Sequence, residues 1–232
     1  MTGRLKSGML SGNALKIIAL ISMTIDHIGV QLFPFNDMFR IIGRLAFPIF
    51  AYMIAEGCTY TKNRSKYIML MGVTALVCQS VYFFAMGSLY QSIFVTFFIS
   101  IGLIYVADYV LKNQTPLSAT FFALLLFLVL FITEYLPSVL VKTDFYIDYG
   151  FLGVMLPFAV YFAKGRGTKL AVTFLCLILL AYAAGTVQWY SVFAVPLLAL
   201  YNGSRGKHKL KWFFYIYYPT HLVAIYLVSL CI

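Results

Sequence analysis

Charge is scarce in this chain. Of 232 residues only 10% are Asp, Glu, Lys or Arg, and seven are acidic. An ordinary soluble domain carries about 25%. The complement is a 62% hydrophobic content, more apolar surface than a soluble globule of this size could hide. That excludes a secreted enzyme, a disordered chain and a nucleic-acid-binding domain. Cysteine is sparse too. Cys58, Cys78, Cys176 and Cys231 show no CxxC or other metal spacing, which excludes a zinc site or a disulfide framework. Low-complexity segments and internal repeats are lacking. The first apolar run carries Lys16, Asp26 and His27 and is followed by no small-residue cleavage site. It is therefore read as a retained span, not a cleavable signal peptide.

What is present is a series of apolar runs. They fall at 14–33, 41–59, 66–87, 91–111, 118–136, 150–164, 169–185, 188–202 and 212–231. A spanning helix needs about 20 mostly apolar residues. The expected fold class is all-α, a polytopic transmembrane bundle of about nine helices in a single domain over 1–232. Runs six and eight are short and could be tilted, broken or re-entrant. The formal net charge is +10, and its distribution sets the expected topology. Basic clusters occur at Arg4 and Lys6, at Lys62, Arg64 and Lys66, at Lys164, Arg166 and Lys169, and at Arg205, Lys207, Lys209 and Lys211. Nine crossings put every one of these on one side. By the positive-inside rule that side, and the N-terminus, is cytoplasmic.

A few charges remain inside the runs, where an ionisable group is costly and marks function by default. At about 1.5 Å per residue, Lys16 falls near the cytoplasmic face and His27 about two thirds of the way across. Arg44, descending in run two, is expected at the depth of Asp26 and His27, where it can pair with Asp26. Glu56 and Asp108 are expected near the level of Lys16, and His221 near mid-membrane. Eleven residues at about 100° each bring Lys16 and His27 to the same helix face, roughly 16 Å apart. That suits a ligand with an anionic end at the rim and a reactive end deep in the membrane. A histidine, with an unperturbed pKa near neutrality, is the natural general base for an amine or hydroxyl nucleophile. Arg44 can hold Asp26 or steady a developing oxyanion.

The run Leu15-Lys16-Ile17-Ile18-Ala19 through Thr24-Ile25-Asp26-His27-Ile28-Gly29 resembles the TraX family. So do Arg40-Ile41-Ile42-Gly43-Arg44-Leu45-Ala46-Phe47-Pro48-Ile49-Phe50-Ala51-Tyr52, Glu56-Gly57 and Thr61-Lys62-Asn63-Arg64-Ser65-Lys66-Tyr67. Looser matches are Asp148-Tyr149-Gly150 with Gly153, and Tyr218-Pro219-Thr220-His221-Leu222. TraX-like proteins are implicated in N-terminal acetylation of conjugative pilin. They also look similar to the broader acyltransferase-three membrane enzymes, which set a basic residue and a catalytic histidine on one stretch, as Lys16 and His27 stand here.

The resemblance implies a multi-pass protein of the bacterial inner membrane that transfers acetyl from acetyl-CoA. It implies His27 as the catalytic residue, with Asp26 orienting it and Arg44 close by. Lys16, Glu56, Lys62, Arg64 and Lys66 are expected on the donor path, where clustered cations suit the polyanionic coenzyme. His221 and Asp148 are assigned to the acceptor. Expected partners are the acyl-CoA donor, membrane lipid and an exported protein or lipid acceptor, such as a pilin, a lipoprotein amino terminus or a lipid-linked sugar, and no nucleic acid. Two rival readings are a proton-coupled secondary transporter, since intramembrane Asp, His, Arg and Glu also build proton relays, and a non-catalytic pilus or secretion assembly factor.

Overall fold

The computed structural model describes residues 8–208 and 210–231. Arg4, Lys6 and Lys209, counted above among the basic clusters, lie outside the described residues. Among the described residues all regular structure is helical. The helices are α1 (Gly12–Leu32), α2 (Asp37–Gly43), α3 (Ala46–Tyr60), α4 (Arg64–Met86), α5 (Ile93–Asn113), α6 (Pro116–Leu130), α7 (Leu136–Val139), α8 (Gly150–Phe162), α9 (Arg166–Ala184), α10 (Ala194–Ala199) and α11 (Lys211–Ser229). A π-helical turn, Phe131–Tyr135, joins α6 to α7, and a 3₁₀ stretch, Thr186–Phe193, leads into α10.

Six stretches are long and apolar enough to cross a membrane: Gly12–Leu32, Asp37–Tyr60, Arg64–Met86, Ile93–Asn113, Pro116–Val139 and Arg166–Ala184. Gly150–Phe162 and Thr186–Ala199 are apolar but shorter, as expected for runs six and eight. Helix α11 spans 19 residues, but Tyr217-Tyr218-Pro219-Thr220-His221 interrupts its apolar pattern. The chain is that of a polytopic membrane protein. Six of the nine expected runs become long apolar spans.

Large apolar side chains are exposed as well as buried. Phe84, Leu76 and Met69 on α4, Leu124 and Phe127 on α6, and Tyr182 and Leu175 on α9 are exposed. A soluble monomer rarely presents such continuous apolar faces, whereas lipid accepts them. Hydroxyls lie inside instead: Ser22, Thr74, Thr96, Ser100, Thr133 and Thr173 are all buried. Several return their proton to the carbonyl four residues back, as in Thr74 Oγ1 to Leu70 O at 2.8 Å and Thr173 Oγ1 to Lys169 O at 2.7 Å. This satisfies a hydroxyl without a partner helix.

The chain forms two compact units. One comprises the described residues up to Met53 together with those from Ala163 onward. Here α2 and α11 pack on α1, and the 3₁₀ stretch packs on α2 and α9. The start of α1 is tied to the basic loop. Ser11 Oγ accepts from Ala14 N, while Gly12 N and Asn13 N donate to Ser204 O (2.8 Å) and Arg205 O (3.0 Å). Asn13 Nδ2 adds a bond to His208 O at 2.7 Å. Amides that a helix start leaves without internal acceptors are thereby satisfied.

The other unit runs from Ile54 to Phe162. Helix α5 packs against α4, α6 and α8, with Leu103, Val129 and Val154 buried at the centre. Pro137 lacks the N–H that the Thr133 carbonyl would bond, and the ladder widens into the π turn just before it. Glu134, carried on that turn, accepts from Phe151 N at 2.6 Å through Oε1. The carboxylate thus caps the first turn of α8.

Candidate functional site

The first unit gathers most of the ionisable groups expected inside the membrane. Asn36 opens α2 by accepting from Met38 N, and the short helix then runs back against α1. Close approach is possible because residue 43 is glycine: a Cβ there would overlap the Asp26 carboxylate. Ser22 Oγ meets Ile42 O at 2.6 Å and Gly43 O at 3.2 Å. Both carbonyls lie at the end of α2, where the internal ladder runs out.

Around that contact lies a charged network. Arg40 Nη1 donates to Asp26 Oδ2 at 2.8 Å, and Arg44 Nη2 to Asp26 Oδ1 at 3.0 Å. Arg44 Nη1 also donates to Gln188 Oε1 at 3.0 Å. The Arg44 and Asp26 side chains are only 12% and 15% exposed. Two cations therefore face one carboxylate, Arg40 being the more exposed of the two at 36%. Gln188 is buried, and its Nε2 has no hydrogen-bond partner among the described residues; neither has Ser191 Oγ one turn on. The site is rich in donors and short of acceptors.

A second polar line runs between α1 and α11. Lys16 Nζ lies 5.7 Å above the Phe214 ring. Thr24 Oγ1 and the Tyr217 hydroxyl are 2.9 Å apart. His27 Nδ1 and His221 Nε2 are 2.7 Å apart, and Gln31 Nε2 donates to Ser229 Oγ at 3.2 Å. Both members of each pair advance together, so α1 and α11 run parallel. Lys16 and His27 share one face of α1, as their spacing predicts, and that face meets α11. Tyr218 presents its edge to His27 and to His221, with centroids 5.9 and 5.1 Å away. Arg40 and Arg44 lie within electrostatic reach of His27.

The remaining expected residues lie in the second unit. Glu56 is buried on α3. Lys62, Arg64 and Lys66 are exposed around the start of α4. Arg64 is engaged locally: Nη2 donates to Asp108 Oδ2 at 2.5 Å and to the Tyr161 hydroxyl at 3.3 Å, and its guanidinium lies 4.9 Å over Tyr105. Asp108, read from sequence as interfacial, is therefore its ion-pair partner. Asp148 sits in the turn before α8. Its N–H donates to Gln91 O, its carbonyl accepts from Thr96 Oγ1 at 2.6 Å, and its carboxylate is bonded by the Tyr90 hydroxyl.

Sequence reasoning gave no role to Arg40, Gln188, Tyr217 and Tyr218, although Arg40 and Tyr218 stand in the motifs that carry the family resemblance. Arg40 lies one residue before an apolar run and reads as a loop cation. Gln188 is the first residue of run eight, and a lone amide beside Trp189 carries no spacing signal. The tyrosines are hidden among 18 in the chain.

The TraX protein family profile matches residues 11–229. A 69-residue stretch is 39% identical to an uncharacterised protein of Rickettsia prowazekii, covering 30% of this chain and 27% of that one. Over 245 aligned residues the chain is 22% identical to the probable fimbrial assembly protein FimC, serogroup H1, of Dichelobacter nodosus, covering 91% of this chain and 92% of that protein. No solved structure matches. With nearly its whole length matched by the profile, the chain belongs to the TraX family.

Proposed function

We propose that this protein is a membrane-embedded acyltransferase that moves an acetyl group from acetyl-CoA to an amine of an exported or membrane-associated acceptor. The observation that carries this is His27 beside a network in which Arg40 and Arg44 both donate to Asp26 and the Gln188 Nε2 is buried without a partner among the described residues. A general base next to such a network matches what acyl transfer demands, because the carbonyl oxygen gains negative charge as the nucleophile adds. Family membership supports the reading, since TraX-like proteins are implicated in pilin acetylation. The relative named for fimbrial assembly supports a pilus-related role.

The donor supplies an activated thioester carbonyl. The residues present fit that chemistry. Arg44 and the Gln188 Nε2, which has no partner among the described residues, are the donors for the developing oxyanion, and Arg40 holds Asp26. Lys16, with Arg205 within electrostatic reach of it, is the cation for the donor's phosphates. His27 removes a proton from the acceptor nitrogen as that nitrogen bonds to the acyl carbon. The carbon–sulfur bond then breaks, and the departing thiolate takes that proton from His27, so that amide and free thiol are formed and His27 returns to its neutral state.

The same proposal includes nine crossings with the basic loops cytoplasmic. The parallel run of α1 and α11 favours an odd number of crossings. Mass spectrometry of membrane peptides, lipoproteins and lipids from cells with and without the protein tests the function. A species gaining an acetyl mass only when the protein is present is expected. Identical acetylation in the two membranes contradicts it and leaves the assembly-factor reading, which the fimbrial relative favours.

A further inference from the structure

We propose that His221 is a positioning residue that fixes the single proton of His27 on Nδ1, leaving Nε2 of His27 as the basic nitrogen. The inference rests on the reading of His27 as the general base, and it replaces the acceptor-binding role expected for His221. The Tyr217 carbonyl can only accept. His221 Nδ1 lies 3.1 Å from that oxygen, so Nδ1 carries the proton. A neutral imidazole has one N–H, and Nε2 of His221 is therefore a lone pair. His27 Nδ1 is 2.7 Å from that lone pair and must donate to it. His27 is then protonated on Nδ1, and its Nε2 is free to take a proton.

Ring geometry agrees. The two imidazoles are inclined by 14°, with centroids 4.9 Å apart. Near-coplanar rings are what an in-plane N–H···N bond needs, and the separation equals that contact plus the two ring radii. Tyr217 stacks on His221 at 5.3 Å and 14°, which holds the second ring in the same plane. The charged groups facing the pair are Asp26 on α1 and Arg40 and Arg44 at the end of α2. Asp26 is committed to the two arginines, so the imidazole and not the carboxylate orients His27. When Nε2 of His27 takes a proton, its Nδ1–H···Nε2 bond to His221 becomes charge-assisted and stronger. Carboxylates do this in other triads; here a neutral ring does it without adding a buried negative charge.

The test is nitrogen NMR of the full chain in lipid nanodiscs, labelled with ¹⁵N-histidine. The chain has three histidines, and His208→Gln removes the one outside the pair. Both remaining rings are expected to show the Nδ1–H pattern, with a coupling between His27 Nδ1 and His221 Nε2. A proton on Nε2 of either ring at neutral pH overturns the proposal. Two variants add a second reading. In His221→Gln the carboxamide oxygen can still accept from His27 Nδ1, and the tautomer is retained. In His221→Phe it is lost. With labelled acetyl-CoA as donor, His221→Phe is expected to lower kcat about 10²-fold, within the range a general base supplies, at unchanged KM for the donor. His221→Gln restores most of it. Equal rates in the two variants contradict the positioning role. Tautomers as expected with no acetyl transfer by the unaltered protein would instead refute the acyltransferase reading and leave the paired rings standing.

Discussion

Asp26 holds two arginines, and that excess determines what its removal does. Replacing it with alanine leaves Arg40 and Arg44 facing each other with no anion between them. Breaking a largely buried ion pair by removing one partner costs about 3 kcal/mol or more. Asp26→Ala is expected to lower the thermal unfolding temperature in detergent sharply. The triple change with Arg40→Met and Arg44→Met should recover part of the loss. A single variant as stable as the parent contradicts the network. Gly43→Ala tests the same place through shape, since the new methyl overlaps the Asp26 carboxylate. Overpacking of this kind costs about 1–3 kcal/mol. Gly102→Ala on α5, where the nearest atom is Ile68 Cδ1 at 3.9 Å, should be neutral or stabilising by up to about 1 kcal/mol. At this scale the sequence was legible where a charge stood inside an apolar run. Asp26, His27 and Arg44 stood out because a lone ionisable group among Leu, Ile and Phe needs a reason. Gln188 and Arg40 did not stand out, because an amide and a border cation cost little where the linear pattern places them. Only packing α2 on α1 brings Arg40 to Asp26, and only packing the 3₁₀ stretch on α2 brings Gln188 to Arg44.

At the scale of elements, the connections are held by side chains as much as by turns. The segment after α4 is fixed by Asp144, whose carboxylate accepts from Ser88 Oγ at 2.5 Å and Leu89 N at 2.8 Å. The Ser88 hydroxyl, and next the Leu89 amide, hold this carboxyl below its ordinary value. A lowered folded value means the bonds contribute above the ordinary carboxylate value, about 3.9. They are lost as pH falls through the lowered one. Amide exchange at Leu89 is therefore expected to gain exposure on acidification, after correction for the intrinsic rate. In Asp144→Asn the same amide should be less protected at neutral pH and insensitive to acid. Unchanged protection in that variant contradicts the assignment. The parallel line of Lys16, Thr24, His27 and Gln31 against α11 could be half foreseen. Spacing on α1 put Lys16 and His27 on one face, but nothing in the linear pattern said that residues 214–229 would cover it.

For the whole molecule, composition was the strongest signal, because a chain with this little charge has no soluble solution. Helix positions followed from the apolar runs, whereas spans were harder to count. Gly150–Phe162 is too short for a plain crossing, the 3₁₀ stretch Thr186–Phe193 shares its run with α10, and α11 carries polar residues that serve contacts with α1. Topology can be read with an impermeant thiol reagent on intact cells. A cysteine placed at Lys142 is expected to react from outside, and one at Gly167 only after permeabilisation; the reverse contradicts the cytoplasmic placement of the basic loops. The central claim is that His27 is the base for acyl transfer, and one assay reaches it directly. Purified protein in liposomes is given acetyl-CoA labelled in the acetyl group together with extracted membrane acceptors, and label in the acceptor is counted. The account predicts transfer by the unaltered protein and a loss of about 10²–10⁴-fold in a folded His27→Ala variant. Equal transfer by the two proteins would contradict it.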